Sequence, residues 1–274
     1  ACETMGACTV ICTDKTGTLT QNQMQVHRCD FSGIDGQQLA DNEASHLIAE
    51  GIAVNSTASL DLSDADAPQV LGNPTEGALL LWLRQQHVDY EQLREDADVV
   101  EELPFSTERK YMATVVRSAS FPGKKIVYVK GASEKVLALC QSTMSPEATA
   151  DINNRLLDYQ RQAMRTLGFA YKVLGDDESV FVDDRIVAGP FTFQGIVAIS
   201  DPVRSDVPAA VKECLDAGIA IKIVTGDTPA TACEIGRQIG LWSDADNDRN
   251  IITGPELGAL SDSELDSRVM DLKI

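Results

Sequence analysis

Asp14-Lys15-Thr16-Gly17-Thr18-Leu19-Thr20 follows directly on the apolar run Val10-Ile11-Cys12. The order puts one carboxylate at the tip of an expected strand and a polar, glycine-containing turn behind it. A carboxylate held by a strand yet exposed at its end can act as a nucleophile towards phosphorus. Next to Mg2+ and preorganised donors it attacks a γ-phosphoryl group in line. Gly17 can take backbone angles closed to other residues and lets main-chain N–H groups approach an anion. Lys15 adds a cation, and Thr16, Thr18 and Thr20 add hydroxyls. Many α/β proteins contain strands ending in polar turns, so the heptapeptide gains its weight from partners elsewhere.

Two further segments have the same form. Thr225-Gly226-Asp227 follows the apolar Ile221-Lys222-Ile223-Val224 and opens a helix expected from Pro229. A helix N-terminus offers unpaired N–H groups and a favourable dipole to phosphate. Asp201-Pro202-Val203-Arg204 ends an expected strand over Phe191–Ile199 and brings a carboxylate and a guanidinium. Ligands of open α/β sheets sit at the carboxyl ends of strands. Three strand-end polar loops together outweigh any one of them.

These loops must be carried by a sheet. From Pro202 onward helix Ser205–Ala217, strand Ala220–Val224, helix Pro229–Ile239 and strand Ile251–Ile252 alternate, which predicts a parallel, doubly wound sheet shared with strand Thr9–Thr13. The sequence between reads differently. It holds an extended segment Met24–Cys29, helices Glu43–Ala53 and Thr75–Gln86, strands Val99–Leu103, Met112–Val116 and Ile126–Val129, helices Ser133–Leu139 and Pro146–Met164, and a strand near Phe169–Leu174. This predicts a large antiparallel α+β insert of roughly 170 residues. Hinges are expected at Gln21–Gln25 and Gly195–Asp201. The expected domains are 1–24, 25–195 and 196–274.

The 274 residues suit two domains, enough to bury ~75% of the unfolded surface. With 43% hydrophobic and 24% charged residues the composition is globular. No run approaches the ~20 apolar residues of a membrane span, and no signal peptide opens the chain, so the piece reads as soluble. A formal charge of −19 argues against nucleic acid as a partner. The acidic runs Asp61 to Asp66, Glu95 to Glu102, Asp176 to Asp184 and Asp244 to Asp248 read as solvated loops or helix faces. Seven cysteines without a CxxC pair read as reduced thiols, and His27, His46 and His87 form no constellation. Asp244, Asp246 and Asp248 resemble the start of a calcium loop, but Arg249 stands at its glycine position and Pro255 at its final glutamate, so it is not an EF-hand.

Asp14-Lys15-Thr16-Gly17-Thr18, Lys130-Gly131-Ala132, Asp201-Pro202-Val203-Arg204 and Thr225-Gly226-Asp227 together resemble the cytosolic catalytic part of the P-type ATPases, most like the calcium pumps of the sarcoplasmic-reticulum type. The resemblance covers nearly the whole chain. It implies an incomplete haloacid-dehalogenase-like parallel sheet interrupted by an antiparallel nucleotide-binding domain, with ATP and Mg2+ as cofactors. Asp14 is then the phosphoryl acceptor and, with the Thr16 carbonyl, a Mg2+ ligand. Lys15 belongs to the same catalytic loop, Thr225 and Gly226 bind phosphoryl oxygens, and Asp227 lies near the nucleotide phosphates. Phe105, in Phe105-Ser106-Thr107-Glu108-Arg109-Lys110, stacks on adenine. Lys110 and Lys130 line the pocket, Glu76 contacts the adenine edge and Arg165 reaches the ribose or phosphates. Asp201 and Arg204 complete the nucleotide set. Thr107 departs from the family's calcium pumps, which often carry Arg there, so one phosphate contact is missing. The ring of Phe105 before a turn otherwise reads as a core aromatic, and Arg165 as a helix-end cap.

Phosphatases of the haloacid-dehalogenase group share the Asp-ended strand but usually carry a second Asp two residues on. Thr16 occupies that place and cannot shuttle protons near neutral pH. The other alternative is an isolated ATP-binding module. The family's Gly-Asp-Gly-x-Asn-Asp loop, and the lysine ahead of it, are not found. A fragment is therefore expected that binds ATP with negligible turnover, is monomeric, and lies on the cytoplasmic side of a membrane. In the full-length protein its partners are an actuator domain and transmembrane helices.

Overall fold

A computed structural model describes residues 8–64, 67–175 and 178–274, apart from the side chain of Ser142. Asp66 of the first acidic run and Asp176 of the third lie outside the described residues. The strands are β1 (Val10–Thr13), β2 (Gln25–Phe31), β3 (Ser59–Asp61), β4 (Gln69–Leu71), β5 (Asp98–Leu103), β6 (Tyr111–Arg117), β7 (Lys125–Gly131), β8 (Arg165–Leu174), β9 (Phe181–Val182), β10 (Arg185–Ile186), β11 (Thr192–Ser200) and β12 (Ala220–Ile223). The helices are α1 (Glu43–Val54), α2 (Pro74–Gln85), α3 (Tyr90–Asp96), α4 (Ser133–Leu139), α5 (Pro146–Arg161), α6 (Val207–Asp216), α7 (Pro229–Gln238), α8 (Gly254–Ala259) and α9 (Asp262–Arg268). They fall into two compact units. One takes in the described residues up to Gln23, Arg161–Ala163 and Asp201–Ile274, the other Met24–Gln160 and Met164–Ser200.

The larger unit is built on a six-stranded sheet of order β2-β11-β8-β7-β6-β5 with every pairing antiparallel. Both faces are covered. Val197 and Ile199 of β11 pack with α1 and α2 through Ile52, Leu79, Leu80 and Leu83, while Ile196 and Ala198 face Val136 and Leu137 of α4. Double-sided burial is why β11 reads as an apolar run and not as an alternation. Each such fully buried aliphatic side chain stabilises the fold by ~1.5–3 kcal/mol. Phe31 meets Phe169 edge-on at 5.3 Å between ring centroids and Trp82 at 6.1 Å. The expected boundary at 195 falls inside β11. The pairing of β11 with β8 is regular from Gly195 to Ile199, and its pairing with β2 continues to Ser200 past a register shift between Ala198 and Ile199, so the strand to Ser200 lies in the larger unit.

Among the described residues β5 is an edge strand, paired with β6 alone and irregular between Val99 and Glu101. Val99, Val100, Glu101 and Glu102 are all exposed on it. The hairpin β3–β4 and helix α3 carry too short a periodic pattern to be read from the sequence. Helix α5 stops at Arg161, short of Met164, and β8 begins at Arg165.

In the smaller unit β1 pairs in parallel with β12, Val10 opposite Ala220 and Thr13 opposite Ile223. Leu19, Val211, Ile221, Ile223, Ile235 and Ile239 form its core. Among the described residues this pair is the extent of the parallel sheet. Ile251–Ile252 is irregular, its Ile252 amide donating to the Ile274 carbonyl at 3.1 Å. Helix α7 starts as expected, with Thr228 accepting from the Thr231 amide and Pro229 in the first turn. No helix among the described residues is long and apolar enough to cross a membrane.

Glu50, fully buried on α1, ties that helix to the β6–β7 hairpin. It accepts from Ser118 Oγ (2.7 Å), Tyr128 Oη (2.6 Å) and the amides of Ala119 (3.1 Å) and Ser120 (3.3 Å). Glu50→Ala is expected to cost about 2–4 kcal/mol in urea unfolding, because a buried donor left unsatisfied costs ~1–3 kcal/mol. A loss below ~1 kcal/mol would show that water replaces the carboxylate.

Candidate functional site

The β1–β12 register brings two strand ends level. The Val224 amide donates to the Thr13 carbonyl at 2.8 Å, so Asp14 and Thr225 step off the same edge. Asp14 is exposed. Its Oδ1 accepts from the Lys15 amide at 2.7 Å, and Oδ2 has no partner among the described residues. The chain then makes one wide turn, closed by the Thr20 amide on the Lys15 carbonyl at 3.1 Å, with Thr16 extended and Gly17 at φ +76°. That angle is why glycine stands there. Lys15 is turned inward, its side chain 9% exposed, and its ammonium pairs with the Asp227 carboxylate. The Asp227 amide donates to Thr225 Oγ1 at 3.2 Å, and a Cβ on Gly226 would meet nothing within 4 Å.

Asp201 and Arg204 belong to this loop in a way the sequence does not announce. Asp201 accepts from Thr20 Oγ1 at 2.6 Å and from the Gln23 amide at 3.1 Å. Arg204 donates from Nε to the Thr20 carbonyl (3.1 Å) and from Nη2 to the Gly17 carbonyl (3.0 Å). Both side chains are engaged as braces of the turn. Expected among the nucleotide contacts, the two side chains here hold the turn of residues 17–23.

In the larger unit the remaining candidates gather at one end of the sheet. Tyr111, which starts β6, lies opposite Gly131, which ends β7, and Gly131 lies opposite Gly168 near the start of β8. The close approach demands glycine at 131, where a Cβ would stand 2.3 Å from the Lys110 carbonyl oxygen. Phe105 projects from the turn between β5 and β6 and is 57% exposed, so it is not a core aromatic. Ser106 and Arg109, missed in the sequence, shape that turn. The Arg109 amide donates to Ser106 Oγ (3.1 Å), the Lys110 amide to the Ser106 carbonyl (2.7 Å), and Arg109 Nη2 to the Pro104 carbonyl (2.7 Å). Lys110 is exposed, and its carbonyl accepts from the Ala132 amide at 2.8 Å. Arg165 is exposed on the first residue of β8 and donates to Thr75 Oγ1 at 3.3 Å. It therefore caps no helix.

Lys130 and Glu76 are buried against each other, Nζ to Oε1 at 2.7 Å. Glu76 Oε2 accepts from Thr57 Oγ1 (2.7 Å), the Thr57 amide (2.9 Å) and the Ala58 amide (3.2 Å). Lys130 also donates to the Asn55 carbonyl, and Asn55 in turn bonds the Tyr128 carbonyl and Thr114 Oγ1. Both groups, expected to line the nucleotide pocket, lie inside the fold and are paired with each other. Asn55 and Thr57 are the partners sequence reading missed; the polar run Asn55-Ser56-Thr57 closing an apolar helix is the signal. Burial pushes the Glu76 carboxyl up, but Lys130 and Thr57 outweigh it and hold it below the usual range. Burial pulls the Lys130 ammonium down against the attraction of Glu76. Burial also pushes the thiols of Cys29 and Cys140 up to about 12, which leaves them unreactive.

For Mg2+, the exposed Asp14 carboxylate and the neighbouring Thr16 carbonyl form a hard oxygen donor pair, which fits a cation that keeps several waters and takes one or two carboxylates. Among the described residues no three His, Cys, Asp or Glu side chains cluster around a possible metal.

Residues 43–206 match the family described as P-type ATPase, cytoplasmic domain N. The chain belongs to the P-type ATPases. It is 35% identical over 287 residues to calcium-transporting ATPase PAT1 of Dictyostelium discoideum, covering 100% of this chain and 25% of that protein. It is 35% identical over 283 residues to calcium-transporting ATPase 7, plasma membrane-type, of Oryza sativa subsp. japonica, covering 96% and 27%. With calcium-transporting ATPase 12, plasma membrane-type, of Arabidopsis thaliana, identity is 33% over 291 residues, covering 100% and 28%. The chain spans about a quarter of the length of these relatives.

The Glu76–Lys130 pair gives a pH signature. Unfolded, the Glu76 carboxyl titrates near 4.5, and folded it titrates lower. Its contribution to stability is complete above the unfolded value and is lost as pH falls through the folded one. Urea midpoints should drop on acidification below that value. Glu76→Gln should lessen the slope while costing about 3–5 kcal/mol at neutral pH, since Lys130 is left buried without an anion.

Proposed function

We propose that this chain supplies the nucleotide-binding and phosphoryl-accepting regions of an ATP-driven cation pump, with calcium as the cation. The reading of calcium rests on the names of the relatives. The observation that carries the proposal is the exposed Asp14 at the end of β1, level with Thr225-Gly226-Asp227 at the end of β12. Residues 1–24 and 196–274 are read as the phosphorylation domain, with β11 to Ser200 shared out to the insert, and 25–195 as the nucleotide-binding domain.

In the reaction, the Asp14 carboxylate oxygen bonds to the γ-phosphorus of ATP while the bond from that phosphorus to the β,γ-bridging oxygen breaks, releasing ADP. Thr225 Oγ1 and the Gly226 N–H face the incoming oxygens, and the space beside Gly226 lets the phosphoryl group approach the main chain. When bound, Mg2+ at Asp14 and the Thr16 carbonyl neutralises charge on the transferred group. Thr16 offers no proton relay, so the acyl phosphate on Asp14 persists long enough to drive a conformational step. Phe105 serves as the platform for the adenine ring, with Lys110 beside it and Arg165 toward the ribose or phosphates. These exposed groups suit contact with a ligand better than the buried Glu76 and Lys130, which hold the floor of the site.

Two measurements test the proposal. In a protein of the relatives' length carrying this chain, γ-labelled ATP should leave an acid-stable, hydroxylamine-labile label on Asp14, and Asp14→Asn should abolish it; a label elsewhere would overturn the assignment. Nucleotide binding without any label would favour a binding module instead. Phe105→Ala should weaken ATP binding by ~1–3 kcal/mol, the usual worth of base–aromatic stacking, whereas an unchanged dissociation constant would remove Phe105 from the site.

A further inference from the structure

We propose that Lys15 is a positioning residue that acts through Asp227 and makes no contact with phosphate. The proposal rests on the reading of Asp14 as phosphoryl acceptor. A lysine next to such a carboxylate is the obvious candidate to reach the incoming phosphate directly, and the structure turns it the other way. Its neighbours Asp14, Thr16 and Thr18 are exposed, while the Lys15 side chain is 9% exposed and ends on the Asp227 carboxylate. Its backbone is committed as well. The amide donates to Asp14 Oδ1 at 2.7 Å, and the carbonyl accepts from the Thr20 amide (3.1 Å) and Thr20 Oγ1 (3.3 Å). One residue thereby fixes the nucleophile, closes its turn and ties the turn to the second strand-end loop.

The ion pair has two effects on that second loop. It holds Asp227, whose amide is bonded to Thr225 Oγ1, and so sets where Thr225 and Gly226 present their donors. It also cancels the Asp227 charge at a place where phosphoryl oxygens are to arrive. With Lys15 gone, a carboxylate 35% exposed would face the nucleotide phosphates uncompensated. The damage from losing Lys15 is then the damage of an unpaired Asp227, and removing Asp227 too should undo most of it.

A double-mutant cycle separates this from direct phosphate contact. Wild type, Lys15→Met, Asp227→Asn and the double variant are compared as complete pumps for the rate of Asp14 labelling, the ATP concentration giving half the maximal rate, and the thermal midpoint. Lys15→Met alone should slow labelling about tenfold or more and raise half-saturating ATP severalfold; added to Asp227→Asn it should change either quantity by less than about twofold. A double variant slowed by the product of the two single effects would overturn the proposal, since a phosphate-binding lysine is lost independently of Asp227. Should the wild type take no label on Asp14, the phosphorylation reading fails. The midpoints then decide the ion pair by themselves, non-additive shifts upholding it and additive shifts overturning it.

Discussion

The parallel register of β1 on β12 is the constraint on which the smaller unit's chemistry depends. Four residue pairs and the Val224–Thr13 hydrogen bond put two carboxyl ends at one height. A slip by one residue would turn Ile221 and Ile223 out of the core and carry Thr225 away from Asp14 in the same movement. Packing and chemistry are therefore coupled, since the side chains that fill the core fix where the polar loops emerge. The wide turn after Asp14 has its own supports in the side chains of Asp201 and Arg204, which bond Thr20 Oγ1, the Gln23 amide and the carbonyls of Gly17 and Thr20, and in Lys15, whose side chain pairs with Asp227. That many contacts on ten residues make the loop a rigid platform presenting one free carboxylate oxygen.

The larger unit solves a different problem, that of carrying an exposed aromatic and several cations in a protein of net charge −19. It keeps Phe105 outside by means of a tight turn with Lys110 at φ +60°, and it seats that turn on the Lys130-Gly131-Ala132 corner. Beneath the corner, Lys130 and Glu76 neutralise each other and order the segment that follows α1. Arg94 adds to the same support, donating to the carbonyls of Ala53 (2.7 Å) and Ala58 (2.9 Å) while lying over the Tyr90 ring at 4.9 Å. The exposed face of the site is thus backed by a layer of satisfied buried polar groups, which rigidifies it.

Much of the fold is legible in the sequence because the candidate residues sit where strands end. Asp14 and Thr225 each follow an apolar run that locates the residue, whereas Phe105 is singled out only by the string Phe105-Ser106-Thr107-Glu108-Arg109-Lys110. Contacts that depend on partners far along the chain are not legible in the sequence. Nothing near Glu76 signals that Thr57 and Lys130 will saturate it, and nothing near Asp201 signals that Thr20 will claim it from a sequence distance of 181 residues. Arg165 was placed at a helix end because the amphipathic pattern of α5 does not show its last turn, whereas the structure makes it the start of a strand. The extent of β11 is hidden for a related reason. Gly195 looks like a hinge in one dimension, but there it is a bulge inside a continuous strand, pressed to within 2.2 Å of the Asp30 carbonyl oxygen for an added Cβ.

The last strand of the large sheet bears on how the protein shares a crowded compartment. β5 leaves one row of backbone donors and acceptors open beside the exposed Val99 and Val100, a surface that could recruit the same edge of another copy and continue the ladder from molecule to molecule. The break in register before Glu101 and the successive carboxylates of Glu101 and Glu102 oppose this, because a second copy would have to lay like charge against like along a strand that is not straight. The sheet stops at six strands for an electrostatic reason as much as a topological one, and those two glutamates act as guards of colloidal stability at a place far removed from any bond the chain makes or breaks.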